Sequence, residues 1–143
     1  MISFDEGCAP RDPAWTIEED LSRPGRRGLY EALFTLSSGY LGTRGINEDL
    51  PEGTRPGTFV AGAFDKSECV AVEMVNFPNP FPFRLEADGT PLVLGASEVV
   101  SHRRALDLRR GALYRETVFK AGPGRTRLRT VRFLCRHEPH AAV

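Results

Sequence analysis

Glycines at positions 39, 42 and 45, within Leu36-Ser37-Ser38-Gly39-Tyr40-Leu41-Gly42-Thr43-Arg44-Gly45, constrain this chain more than any other feature. A glycine every third residue lets the backbone repeatedly enter conformations that a Cβ forbids, while Tyr40 and Leu41 still seek burial. The pattern predicts a turn-and-bulge segment inside a sheet. The competing functional reading is a phosphate-cradling loop. Neither GxGxxG nor GxxxxGKS/T is present, however, and no apolar helix follows to offer its N-terminus to an anion.

Size and charge narrow the choices. With 143 residues, 41% of them hydrophobic, the chain can build the core of one ordinary domain. Nineteen Lys and Arg balance nineteen Asp and Glu, so no net field recruits nucleic acid or an anionic membrane. No run reaches transmembrane length, and Met1-Ile2-Ser3-Phe4-Asp5-Glu6 lacks both the basic and the apolar parts of a secretory signal. A cytoplasmic location is the resulting expectation. Cys8, Cys69 and Cys135 are odd in number and far apart, which predicts reduced thiols rather than a disulfide scaffold.

Along the chain, residues 1–14 read as an extended lead-in interrupted by Pro10 and Pro13. Trp15-Thr16-Ile17 reads as a strand, since aromatic and β-branched residues suit a pleated, half-buried surface. Residues 29–36 fit a short helix or a strand, and the glycines after them favour sheet. Residues 46–57 carry acids, Pro51, Gly53, Pro56 and Gly57, the composition of an exposed loop. Strands are expected over 58–64 and 69–75. The run 76–82 holds three prolines, which remove ladder donors and force a crossover. Phe83, Leu85 and Ala87 then alternate with Arg84, Glu86 and Asp88, and Asp88-Gly89 marks a hairpin turn into 91–94. Further strands are expected over 99–108, 111–120 and 125–135. In the last, Arg125, Arg127 and Arg129 share parity with Val131, Phe133 and Cys135, and this break of phase near Thr130 predicts a bulge. No helical pattern exceeds about three turns. The fold class is therefore all-β, an antiparallel sandwich of roughly eight short strands.

Several of these segments together resemble one family. Trp15-Thr16-Ile17, residues 31–36, Gly39-Tyr40-Leu41-Gly42-Thr43-Arg44-Gly45, residues 56–62, Asn76-Phe77-Pro78-Asn79, residues 104–111 and residues 127–134 are similar, in order and spacing, to the N-terminal domain of glycoside hydrolase family 65. That family contains the maltose, trehalose and kojibiose phosphorylases. Ser38 stands where the pattern has Asn, and Cys135 where it has Ser. The resemblance implies that residues 15–143 are the incomplete N-terminal portion of a β-sandwich of the supersandwich type, ahead of an (α/α)6 barrel. It implies an enzyme that cleaves α-linked glucosyl disaccharides with inversion, inorganic phosphate or water attacking while a barrel Glu protonates the leaving oxygen. It also implies a homodimer and no cofactor beyond phosphate as co-substrate. The chain itself is then expected to lack catalytic residues, and to expose unpaired edges and apolar faces when alone.

The residues by themselves offer few rivals to that expectation. Glu31, Glu48, Asp65, Glu73, Asp88, Asp107 and Glu116 each lie near basic or turn residues, and read as solvated or ion-paired surface groups. His137 and His140, with Cys135 nearby, lack a second cluster and do not predict a metal site. Cys8 has no basic neighbour to activate it. Trp15, Phe77 and Phe81, together with Tyr40 and Phe83, are the candidates for sugar binding, because pyranose C–H faces stack on aromatic rings. Burial in the core is the competing reading for Trp15 and Phe83. A free-standing carbohydrate-binding or scaffold module is accordingly the second functional expectation.

Overall fold

Three long strands in a meander form the backbone of the domain: β9 (Val99–Asp107), β10 (Ala112–Ala121) and β11 (Gly124–Phe133), joined by β1 (Thr16–Glu18) in the order β1-β9-β10-β11, all antiparallel. A computed structural model describes residues 12–20, 25–66 and 72–138. Between β1 and β9 the chain forms α1 (Arg27–Leu33), a three-stranded sheet of β2 (Leu36–Ser37), β3 (Leu41–Thr43) and β4 (Thr58–Val60), and two hairpins. The hairpins are β5 (Phe64–Lys66) with β6 (Val72–Met74), and β7 (Glu86–Ala87) with β8 (Thr90–Pro91). The all-β class holds, with more and shorter strands than expected.

The glycine-rich stretch is a tight hairpin between β2 and β3, the turn its composition predicted, but its strands pair in continuous register without the expected bulge. Gly39 has φ +90°. Serine side chains hold the turn: Ser38 Oγ accepts from the Leu41 N–H at 3.1 Å, and Ser37 Oγ accepts from the Gly39 N–H at 3.1 Å. Asp88 and Gly89 have φ of +49° and +76°, the pair of positive values that a type I′ hairpin needs. The proline run 76–82 contains no regular element.

Four expectations are corrected. Residues 27–33 are helical, and only Leu36–Ser37 joins a sheet. Seven residues are too few for periodicity to separate the two states, and packing decides. Tyr30 and Phe34 stack at i, i+4 with ring centroids 5.7 Å apart, and Glu31 is buried. Second, the start of the 46–57 segment is not exposed: Ile46, Asn47, Glu48 and Asp49 are all buried. Third, β11 has no bulge. Its register against β10 is continuous from Ala112↔Phe133 to Ala121↔Gly124. The inward parity is Leu128, Thr130 and Arg132, and Phe133 faces outward, 38% exposed. The bulge occurs instead where Val118 pairs with Ser101 and Phe119 with Val99, leaving Val100 extra on β9. Finally, Trp15 and Phe83 are exposed rather than core, and Trp15 closes a 3-10 turn, Pro13–Trp15, ahead of β1.

The apolar core is small: Phe34, Leu36, Leu106 and Leu113, with Ile17, Tyr30 and Leu134 against it. Register explains the assembly, since Ile17, Leu106, Leu113 and Arg132 lie directly opposite one another across the four strands and so share a face. Gly45 runs over Phe34 so closely that a Cβ there would land on Phe34 Cβ and 2.5 Å from its carbonyl oxygen. Because the obstacle is backbone, Gly45→Ala is expected to destabilise the fold by about 3 kcal/mol, read as a lowered urea midpoint at unchanged slope. A midpoint equal to that of the parent would contradict the close approach.

Candidate functional site

The inner face of the large sheet carries charge where a sandwich normally carries hydrocarbon. Arg104 on β9, Arg115 on β10 and Arg132 on β11 are 1%, 3% and 4% exposed. They converge on one segment, residues 45–49. Arg104 Nη1 donates to the Gly45 carbonyl at 2.8 Å and Arg132 Nη2 to the Ile46 carbonyl at 2.6 Å. Arg115 Nη1 bridges Glu48 Oε2 at 2.8 Å and Asp49 Oδ1 at 2.6 Å. Glu48 Oε1 lies 3.0 Å from Arg132 Nε and accepts from Thr130 Oγ1 at 3.0 Å. Asp49 Oδ2 in turn accepts from the Leu94 N–H at 2.6 Å, tying the loop after β8 to the same cluster.

At the β1 end the network continues through Glu19. Its two oxygens take Arg104 Nε at 2.7 Å and Nη2 at 2.9 Å, a bidentate pair. His102 Nε2 lies 3.5 Å from Glu19 Oε2, and its Nδ1 shares a 2.7 Å hydrogen bond with Thr117 Oγ1. Glu19 and His102 line a cleft of about 440 Å³, together with Arg26, Arg27, Tyr30 and Ser97.

Electrostatics decide what this assembly does chemically. Burial pushes the Glu19 carboxyl up, but the nearby His102 ring and the hydrogen bonds and charge of Arg104 outweigh it and hold the group down to about 2. Burial likewise raises Glu48, and Arg132 and Arg115 more than reverse it. Asp49 is held low by Arg115 and the Leu94 N–H against the same burial penalty. Arg132 is lowered from the usual arginine range, first by burial and then by repulsion from Arg104 and Arg115, with Glu48 opposing. A group that protonates a glycosidic oxygen needs its proton affinity raised. Glu19, Glu48 and Asp49 are shifted the other way, held by the guanidinium groups of Arg104, Arg115 and Arg132.

The acidic residues read as surface groups divide accordingly. Glu31, Glu48 and Asp107 are buried, which corrects that reading: Glu31 pairs with Arg44 Nε at 3.3 Å, and Asp107 Oδ1 accepts from the Arg109 and Arg110 N–H groups. Asp65, Glu73 and Asp88 are exposed, and Glu116 pairs with Arg129 Nε at 2.5 Å. Among the described residues no group of three His, Cys, Asp or Glu is arranged to hold a metal ion. Cys135 is a free thiol, while Cys8, Cys69 and His140 lie outside the described residues.

The aromatic candidates are dispersed. Trp15 sits beside β1, 44% exposed, with the Arg109 guanidinium 5.1 Å from its ring centroid. Phe81 lies at the opposite edge strand, under the Arg132 guanidinium at 5.3 Å. Three strand spacings, about 14 Å, separate β1 from β11. Phe77 is 38% exposed, and its N–H donates to the Thr58 carbonyl beside β4.

Sequence reasoning missed the arginine cluster because it took the balanced net charge as the whole message. The signal lay in distribution. Residues 101–143 carry eleven Lys and Arg against three Asp and Glu, and residues 1–100 carry eight against sixteen. Halves so opposed predict pairing across the chain.

Two outcomes follow from the buried charge. Glu48→Gln leaves Arg115 and Arg132 inadequately compensated, and is expected to cost about 3–5 kcal/mol in urea unfolding. Glu86→Gln, which removes the exposed partner of Arg84, is expected to cost under about 1 kcal/mol. Equal small losses would mean that the cluster does not hold the loop. Glu19 is held below its ordinary value of 4.5, so the stability it contributes is present above that value and disappears as pH falls toward 2. The urea midpoint should therefore drop across that window, and less steeply in Glu19→Gln.

The comparisons with known proteins agree with this architecture. The family model for "Glycosyl hydrolase family 65, N-terminal domain" matches residues 17–143. A kojibiose phosphorylase of Caldanaerobacter subterraneus subsp. tengcongensis is 37% identical over 133 residues, 92% of this chain and 17% of that protein. A nigerose phosphorylase of Lachnoclostridium phytofermentans is 33% identical over 110 residues, 77% of this chain and 15% of that protein. In fold, the chain superposes with a TM-score of 0.81 on a solved structure from the human microbiome, provisionally assigned as a kojibiose phosphorylase. That match has 23% identity and covers 90% of this chain and 19% of the other. This chain thus spans about a sixth of the length of the relatives it matches. With the model covering nearly all of the described sheet, the chain belongs to glycoside hydrolase family 65, as its N-terminal domain.

Proposed function

We propose that residues 15–143 form the non-catalytic N-terminal β-sandwich portion of an inverting α-glucoside phosphorylase or hydrolase. In this reading the domain packs on an (α/α)6 barrel, shapes the entrance to its pocket and supports a homodimer, in a cytoplasmic enzyme. The whole enzyme acts on an α-linked glucosyl disaccharide, with inorganic phosphate as co-substrate where it is a phosphorylase and water where it is a hydrolase. The relatives named kojibiose and nigerose phosphorylase support the reaction class. The observation that supports the non-catalytic role is that the carboxylates of Glu19, Glu48 and Asp49 are each engaged by arginine, hydroxyl or backbone donors, which hold them in the ionised form. A cluster of that kind locks a loop, and an inverting glycosidase needs the reverse, an acid with raised affinity for its proton.

A second reading rests on the exposed rings of Trp15 and Phe77 and on the half-buried Phe81, which offer faces for sugar stacking. Against it, Arg109 already covers the Trp15 ring.

The two readings separate experimentally. The purified chain, given phosphate with maltose, kojibiose or trehalose, is expected to form no glucose 1-phosphate, whereas a longer polypeptide carrying a barrel forms it from one such disaccharide. Product from residues 1–143 alone would overturn the non-catalytic role. Titration with the same sugars should leave Trp15 fluorescence without a saturable change, and saturation in the millimolar range would favour the binding module.

A further inference from the structure

The hairpin β5–β6 differs from every other paired element in having no covered side. All three residues of Phe64–Lys66 and all three of Val72–Met74 are exposed. Phe64 is 57%, Val72 64% and Met74 48% exposed. Register makes this a pattern. Phe64 pairs with Met74 and Lys66 with Val72, so these four share one face, while Asp65 pairs with Glu73 on the other. One face thus carries three open apolar side chains beside Lys66, and the reverse face sets two carboxylates directly opposite each other. Both features are unfavourable in water, where an isolated two-stranded ribbon is marginal and like charges at a cross-strand position repel.

The hairpin is tied to the rest of the domain by backbone contacts: the Val75 N–H donates to the Ala63 carbonyl at 3.2 Å and the Phe77 N–H to the Thr58 carbonyl at 2.8 Å.

From this juxtaposition we propose that the β5–β6 hairpin is a two-sided docking element, seated in a groove on the part of the longer polypeptide outside residues 1–143. One wall of that groove is apolar and meets Phe64, Val72 and Met74; the other presents basic side chains to Asp65 and Glu73. The occupant is argued from two observations. The relatives continue for about five sixths of their length beyond the region this chain matches, which supplies ample surface in the same molecule. Charge complementarity supplies the second: a basic wall relieves the Asp65–Glu73 repulsion, which an identical hairpin from a second copy would double. The proposal rests on the reading of this chain as part of a longer enzyme, and it locates the contact.

Met74 is a built-in reporter, because within residues 1–143 Met1 is the sole other methionine and mass spectrometry follows the peptide that carries Met74. In the full-length polypeptide, oxidation of Met74 by hydrogen peroxide is expected to be at least about tenfold slower than in a free methionine peptide. It should be independent of protein concentration and accelerated in Asp65→Lys/Glu73→Lys. Oxidation at the free-peptide rate would overturn the docking, and protection that vanishes on hundredfold dilution would assign the face to a second copy and overturn the proposed occupant. Protection that survives the double substitution would overturn the basic wall. Glucose 1-phosphate formation by the same polypeptide is measured in parallel. Activity with an unprotected Met74 removes the docking alone, and protection without phosphorolysis removes the functional reading alone.

Discussion

Three guanidinium groups on three adjacent strands hold one short loop, and the rest of the domain is arranged around that grip. Arg104, Arg115 and Arg132 come from β9, β10 and β11 and reach the Gly45 and Ile46 carbonyls and the Glu48 and Asp49 carboxylates. The contact spans 59 to 86 residues of sequence, so it closes the chain between its early, acidic part and its late, basic sheet. A buried ionic cluster is a costly way to join two layers. Desolvation of each charge is repaid only where geometry is good and remaining polar atoms find partners. Here a bidentate pair, two backbone carbonyls and the Thr117 and Thr130 hydroxyls provide most of those partners.

That choice has consequences for the remaining architecture. With arginine side chains filling much of the inner face, the apolar core shrinks to Phe34, Leu36, Leu106, Leu113 and their immediate neighbours. Arg104 also contributes there, its guanidinium 5.1 Å from the Phe34 ring centroid, so charge and hydrocarbon meet over α1. The same economy leaves Leu29, Leu33, Phe64, Val72 and Phe133 exposed.

Legibility of the sequence followed the range of the interaction concerned. Turns governed by a few neighbouring residues were readable: Ser37-Ser38-Gly39 and Asp88-Gly89 form the hairpins their chemistry predicts, and the three long strands lie close to where apolar and β-branched residues placed them. The helix at 27–33 was not readable, because its seven residues hold too little periodic information. Its state depends on Glu31 finding Arg44 and on the Gly45 N–H reaching the Glu31 carbonyl. The phase argument over β11 failed for a related reason. It assumed that the inward residue must be apolar, and Arg132 points inward because Glu48 and the Ile46 carbonyl are there to receive it.

By itself, then, the sequence determined the fold class, the family and the tight turns, since each follows from local backbone chemistry or from motifs in order. Tertiary structure alone decided which face of each strand is inside, that Ile46–Asp49 is buried, and that Glu48 and Glu19 act as anchors with low proton affinity. The physical reason is that an arginine's preference for water is reversed only by partners far along the chain. No window of neighbouring residues contains both halves of such a pair.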